Sequence, residues 1–160
     1  MTRTCHRWPM LTGLILALLT GQSSAQVFPQ GNGLSMSGVM QFDLHVQVAS
    51  WQDMTIDPME FRLLAQREFE SRLKPHGIRR QSASRDYLVC KINALRTDNA
   101  TIAYTTTLEF WGLRSTDVHT LLWENGGLGA VAAADFDADG VAGECADTFM
   151  QEWSKWNPSS

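Results

Sequence analysis

Between residues 39 and 49 the chain alternates without a break: Met40, Phe42, Leu44, Val46 and Val48 are apolar, while Gln41, Asp43, His45 and Gln47 are polar. Successive side chains of a strand project to opposite faces, so a period of two that separates apolar from polar predicts a strand with one dry side and one wet side. Such a strand belongs to a sheet that is covered on one face only. The rest of the chain has to supply that cover.

The cover is legible as two amphipathic helices. Asp57 is an N-cap residue, Pro58 suits the first helical position and Glu60 sits where it can reach back to the cap. Phe61, Ala65, Phe69 and Leu73 then recur every four residues with Leu64 beside them, and Pro75 and Gly77 end the run, with Ile78 placed to pack back on the last turn. Further strands are predicted over 87–95, 102–111 and 118–124, separated by turn residues such as Asp98, Asn99, Ser115 and Asp117. The Gly- and Ala-rich stretch up to Ala134 reads equally as extended chain or loop. A closing helix is expected over 143–156, with Cys145, Phe149, Trp153 and Trp156 on its inner side and Pro158 marking the stop. The expected fold class is therefore α+β: a four-stranded mixed sheet with two helices packed on one face, in the order β-α-β-β-β-α. One crossover helix makes the first two strands parallel, or separates them by an inserted strand, and the remaining strands form an antiparallel meander.

Ahead of this domain stands an export leader. Arg3 and Arg7 precede an apolar core, MLTGLILALL, and Ser23-Ser24-Ala25 forms a small-residue cleavage site before Gln26. The apolar run is too short to span a bilayer, and Cys5 lies before it, so it is not the acylated cysteine of a lipoprotein. The expected organisation is a signal peptide over 1–25, a flexible lead segment over 26–38 and one α+β domain over 39–158, with the product soluble in the periplasm or secreted. Removing Arg3 and Arg7 with the leader leaves 11 basic residues against 17 acidic ones, a formal charge of −6. That balance argues against nucleic acid and against adsorption to anionic lipid. Cys90 and Cys145 survive processing, and an even count in an oxidising compartment predicts a bridge between them. On the chain-entropy model a loop of that length stabilises by about 4 kcal/mol.

Four features are candidates for chemistry. Asp135, Asp137, Asp139 and Gly140 match the first half of a calcium loop, but Ala146 stands where the bidentate acid belongs. The competing reading is a helix-initiating loop in which Asp139 caps a helix beginning at Gly143. Asp43 and His45 share the polar side of the first strand, in a geometry that suits an acid–base pair or two metal ligands. Five tryptophans remain after processing, and Trp111 has the parity of Thr105, Thr107 and Glu109, which puts it on the wet face as a binding residue. His76 and His119 read as surface residues. Serine nucleophiles lack any GxSxG or SxxK context, no HExxH is present and no Gly-rich phosphate loop is found, so no cofactor is implied and a small hydrolase would need an unrecognised site.

The strand around Met40 to Val48, the helix from Asp57 to Leu73 with its Gly77-Ile78 exit, and the closing helix with Phe149 and Trp153 form a pattern that resembles small envelope accessory proteins of Gram-negative bacteria. The lipopolysaccharide-assembly lipoprotein E family and the auxiliary components of ABC-type transporters are examples. The resemblance implies a non-enzymatic binding or assembly factor that presents a sheet face or edge to a protein partner in the envelope. This chain departs from those families in lacking the lipobox. The alternative expectations are a calcium-binding module and a small secreted hydrolase.

Overall fold

The computed structural model describes residues 30–98 and 100–158, so the expected leader and its expected cleavage site lie outside the described residues. The elements run β1 (Gln30–Gly31), β2 (Gln41–Gln52), α1 (Pro58–Leu73), β3 (Arg79–Arg80), β4 (Asp86–Arg96), β5 (Thr101–Ser115), β6 (Val118–Ala132) and α2 (Ala138–Trp156). The class is α+β with two helices and a mixed sheet, as expected. The strand count and element order differ from the expectation, however: the sheet has six strands in the order β1-β6-β5-β4-β2-β3. The additional strands, β1 and β3, are two residues each. Strands that short carry no periodicity and are created by their neighbours. β2 runs parallel to β4, while β4, β5 and β6 are joined antiparallel.

Local chemistry explains α1. The Asp57 carboxylate accepts from the amides of Met59 and Glu60, both at 2.9 Å, and closes the helix start. Phe61, Ala65, Phe69 and Leu73 are the buried residues of the helix. Leu64, expected beside that stripe, is instead 46% exposed, because only the four-residue repeat faces the sheet. Gly77 ends the segment in the left-handed region at φ 76°, a conformation that would strain any residue with a Cβ, and Ile78 is buried just beyond it.

The dry face collects Phe42, Leu44 and Val46 from β2, Leu88, Cys90 and Ile92 from β4, and Tyr104, Leu108 and Phe110 from β5. Phe149 of α2 packs edge-on against Phe42 with ring centroids 5.3 Å apart, and Phe61 of α1 stacks on Phe136 at 5.3 Å. The Cys90–Cys145 disulfide fastens α2 to the middle of the sheet across a Cα–Cα distance of 6.7 Å.

Two expectations are corrected by long-range contacts. Residues 30–38, expected to be flexible, are held against the end of α2. The Gly33 amide donates to Glu152 Oε1 at 3.1 Å, the Gly38 amide to Asn157 Oδ1 at 2.7 Å, and Asn157 Nδ2 to the Met36 carbonyl at 3.0 Å. Met36 is fully buried there. The stretch after Glu124, ambiguous in the sequence, continues β6 to Ala132 in unbroken register with β5. Its glycines answer a packing demand, since the Tyr104 ring occupies the space where a side chain on Gly129 would go.

Replacing Cys90 and Cys145 together by alanine is expected to lower the free energy of unfolding by about 2–4 kcal/mol, since the bridge spans 55 residues. Urea denaturation of the double variant against the oxidised parent checks this, and coincident midpoints would count against it.

Candidate functional site

With both helices on one side, the residues of opposite parity form a face that no helix covers. β2 contributes Asp43 and His45, β4 contributes Tyr87 and Lys91, and β5 contributes Glu109 and Trp111. The register sets Asp43 beside Tyr87, and Tyr87 opposite Trp111. The three residues that the sequence singled out, Asp43, His45 and Trp111, therefore meet on one surface, with Tyr87 as the piece that joins them. The Tyr87 and Trp111 rings lie parallel, 3° apart in plane with centroids separated by 6.3 Å. His45 and His119 approach Tyr87 edge-on at 6.1 and 5.5 Å. His119 comes from β6 and shares a hydrogen bond of 3.0 Å between its Nδ1 and the Tyr87 hydroxyl. Burial pushes the Tyr87 phenol above its ordinary pKa, and the nearby negative charge of Glu109 adds to the effect.

Two carboxylates hold this face together. Glu109 is only 8% exposed although no helix lies over it. Its Oε1 receives Lys91 Nζ at 2.5 Å and its Oε2 receives the Trp111 indole N–H at 2.9 Å, which fixes the Trp111 ring against the sheet. Asp43, also 8% exposed, accepts from Arg80 Nε at 3.1 Å, from the Ala83 amide at 3.1 Å and from the Leu44 amide at 2.9 Å. His45 Nε2 stands 3.4 Å from Asp43 Oδ2. Burial alone would raise the Asp43 pKa, but the hydrogen bonds from Arg80 and Ala83 and the charges of His45 and Arg80 outweigh it, so the carboxyl stays below its ordinary value. Asp43 thus ties β2 to the segment that carries β3, and its oxygens are engaged in that task.

The acidic loop takes the form of a helix start, with one correction. The cap is Asp137, whose carboxylate accepts from the Gly140 amide at 2.8 Å, and not Asp139. α2 begins at Ala138 instead of Gly143 because Phe136, Ala138, Val141 and Ala142 are all buried and draw the chain into helical packing earlier. Asp139 pairs with Arg72 Nη2 at 3.4 Å, Asp135 is exposed, and Glu144 accepts the Tyr104 hydroxyl at 2.6 Å. Among the described residues no group of three or more His, Cys, Asp or Glu side chains converges as a metal site.

Tyr87, Lys91, Glu109 and His119 were not singled out from the sequence. Their signal was parity: Tyr87 and Lys91 alternate with Leu88, Cys90 and Ile92, as Glu109 and Trp111 do with Leu108 and Phe110. Their convergence depends on strand register, which alternation within one strand does not contain.

No family model and no curated protein matches the chain. What the architecture defines is a one-sided α+β sandwich, and solved structures share it. The chain is similar to PelC from Paraburkholderia phytofirmans, a dodecamer in space group P6, with 14% identity, a TM-score of 0.52, and 79% of this chain and 97% of that one covered. A single-residue variant of the same dodecamer in space group C2 gives 10% identity, a TM-score of 0.51, and coverages of 81% and 96%. At these identities the likeness concerns the fold. The two structures are PelC, not lipopolysaccharide-assembly or ABC-transport auxiliary proteins.

Asp43→Asn is expected to cost about 1.5–3 kcal/mol near neutral pH, the range for losing charge-assisted hydrogen bonds. Because the folded-state pKa of Asp43 is depressed, its contribution is complete above the unfolded-state value of about 3.9 and is lost as pH falls through the lower folded value. Denaturation curves from about pH 6 to about pH 2 should show the gap between parent and variant closing at the acid end. A gap that stays constant would contradict this account.

Proposed function

We propose that this chain is an exported, non-enzymatic accessory protein of the cell envelope that works by binding a protein partner through its uncovered sheet face or a sheet edge. The observation that carries the reading is the ordered aromatic group on a face without cover: Tyr87 and Trp111 parallel to one another, with His45 and His119 against Tyr87. Half-buried aromatic rings held in place by hydrogen bonds make anchors of the kind that dominate protein interfaces, since little rotamer freedom is lost on contact. The acids on that face are bound to neighbours, Glu109 to Lys91 and Trp111, and Asp43 to Arg80 and two backbone amides. That favours recognition over proton transfer.

Export rests on the leader read in residues 1–25, and the Cys90–Cys145 disulfide is compatible with an oxidising compartment. Among the described residues no helix is long and apolar enough to cross a membrane. The PelC structures are dodecamers, which supports self-association as one form that such binding takes.

The test is site-specific crosslinking in the native envelope, with a photoreactive residue placed at Leu113 or Gln47 beside the aromatic group. One dominant adduct is expected. Trp111→Ala combined with Tyr87→Ala should reduce its yield more than tenfold, the effect of removing interface anchors worth about 2 kcal/mol or more. Diffuse adducts, or a yield indifferent to both substitutions, would remove the face from the interaction.

A further inference from the structure

We propose that the margin of the sheet at β3 holds a binding site for the C-terminal residue of a partner protein, taking its apolar side chain and its free carboxylate together. This goes beyond the reading above, because the site lies on the helix-covered side of the sheet and uses none of the aromatic residues of the open face. A cavity of about 210 Å³ is bounded by the end of α1 and by β2 and β3. Its floor is Phe42 and Leu44 of β2, Leu73 of α1, and Ile78 just ahead of β3. All four belong to the core and are at most 3% exposed, so the floor is close-packed and in place before anything binds. The segment that precedes Gln30 joins the sheet through β1, at the opposite margin.

The rim of this cavity is charged, with Glu70, Lys74, Arg79 and Arg80 around it. Arg80 donates from Nε to Asp43 at 3.1 Å and from Nη1 to Glu70 at 3.2 Å. Those bonds fix the plane of the guanidinium and leave Nη2 unengaged among the described residues. The side chains of Lys74 and Arg79 have no hydrogen-bond or ion-pair partner among the described residues. Lys74 is the C-cap residue of α1, a position where the helix dipole favours a cation. Three cations thus meet two carboxylates, Glu70 and Asp43, in a chain that is formally negative overall. The local excess is positive, and an anion completes it.

Size and composition select the kind of anion. Pockets for cofactors and other small molecules run to about 300–1,000 Å³, and this one is smaller. It has room for one apolar side chain, and a long acyl chain does not fit. The last residue of a protein carries an apolar side chain and a carboxylate on the same carbon. The side chain settles on the floor while the carboxylate meets Lys74 and Arg80 Nη2 at the rim, through charge-assisted hydrogen bonds. An acidic side chain within a partner's chain lacks that adjacent apolar group. Capture of a terminal carboxylate is one of the recurring modes of peptide recognition.

Backbone amide NMR of the isotope-labelled, oxidised protein, titrated with the peptide Gly-Ser-Gly-Ser-Leu, reads the outcome. Saturable shifts are expected at Leu73, Ile78 and Arg80. The same peptide ending in an amide should bind about tenfold more weakly, as should the free acid to Lys74→Glu, since each change removes one charge from the contact. Glu70→Gln should act in the opposite direction and strengthen binding, because it takes a carboxylate from the rim and releases Arg80 Nη1. Unchanged signals away from the cavity show that each variant keeps its fold. No shift at millimolar peptide overturns the inference, as does equal binding of acid and amide. Hexanoate competing as strongly as the peptide also overturns it, since the ligand is then a free carboxylic acid and not a chain end. Crosslinking at Leu113 or Gln47 is independent of all these results, so this inference and the open-face reading fail separately.

Discussion

One-sided burial governs this molecule. Phe42, Leu88, Cys90, Tyr104 and Phe110 all project to the face where α1 and α2 lie, so residues of opposite parity such as Asp43, Tyr87 and Trp111 are directed to the other side of the sheet. A strand displaced by a single residue would send its whole apolar set to water. The positions of Asp43, Tyr87 and Trp111 on the outer face are therefore held as firmly as the core itself. The disulfide reinforces the same constraint at the centre, since Cys90 on β4 and Cys145 on α2 fix the helix layer over the middle strands.

The open face has its own order, built from charge instead of packing. Glu109 reaches near-complete burial under the Lys91 stem and the Trp111 ring, long side chains that shield a carboxylate while their polar ends bind it. The indole is thereby held in place by a charged neighbour on its own strand. Asp43 acts at the sheet margin: it gathers Arg80 and the Ala83 amide, and Arg80 in turn reaches Glu70 of α1 at 3.2 Å. That relay joins the helix layer, the sheet edge and the aromatic surface through one guanidinium.

Local signals were legible in the sequence wherever one segment sufficed to determine them. The alternation from Met40 to Val48, the Asp57-Pro58 start and the four-residue repeat to Leu73 each appear in the structure as local patterning requires. Bridging of Cys90 and Cys145 also emerged, because both fall on inward positions of their own elements. What stayed hidden depends on distant partners. Residues 30–38 look featureless until Glu152 and Asn157 supply their hydrogen bonds from the other end of the chain. The start of α2 was misplaced because Phe136 precedes the helix and only tertiary burial shows that it anchors the first turn. Asp43, His45 and Trp111 were found one at a time, and Tyr87, which unites them, required the β4–β5 register.

The composition of β6 shows how an interior demand sets the character of a strand. Tyr104 extends across β6 to donate to Glu144 on α2, and its ring fills the space above Gly129. Burial first, then the bond and charge of Glu144, drive this phenol well above its ordinary pKa, so it remains a donor throughout the physiological range. A close approach from the Thr106 backbone likewise leaves no room for a side chain on Gly126. Close packing thus keeps side chains off β6 at these two positions, and the strand's glycines are the sequence trace of its neighbours' demands.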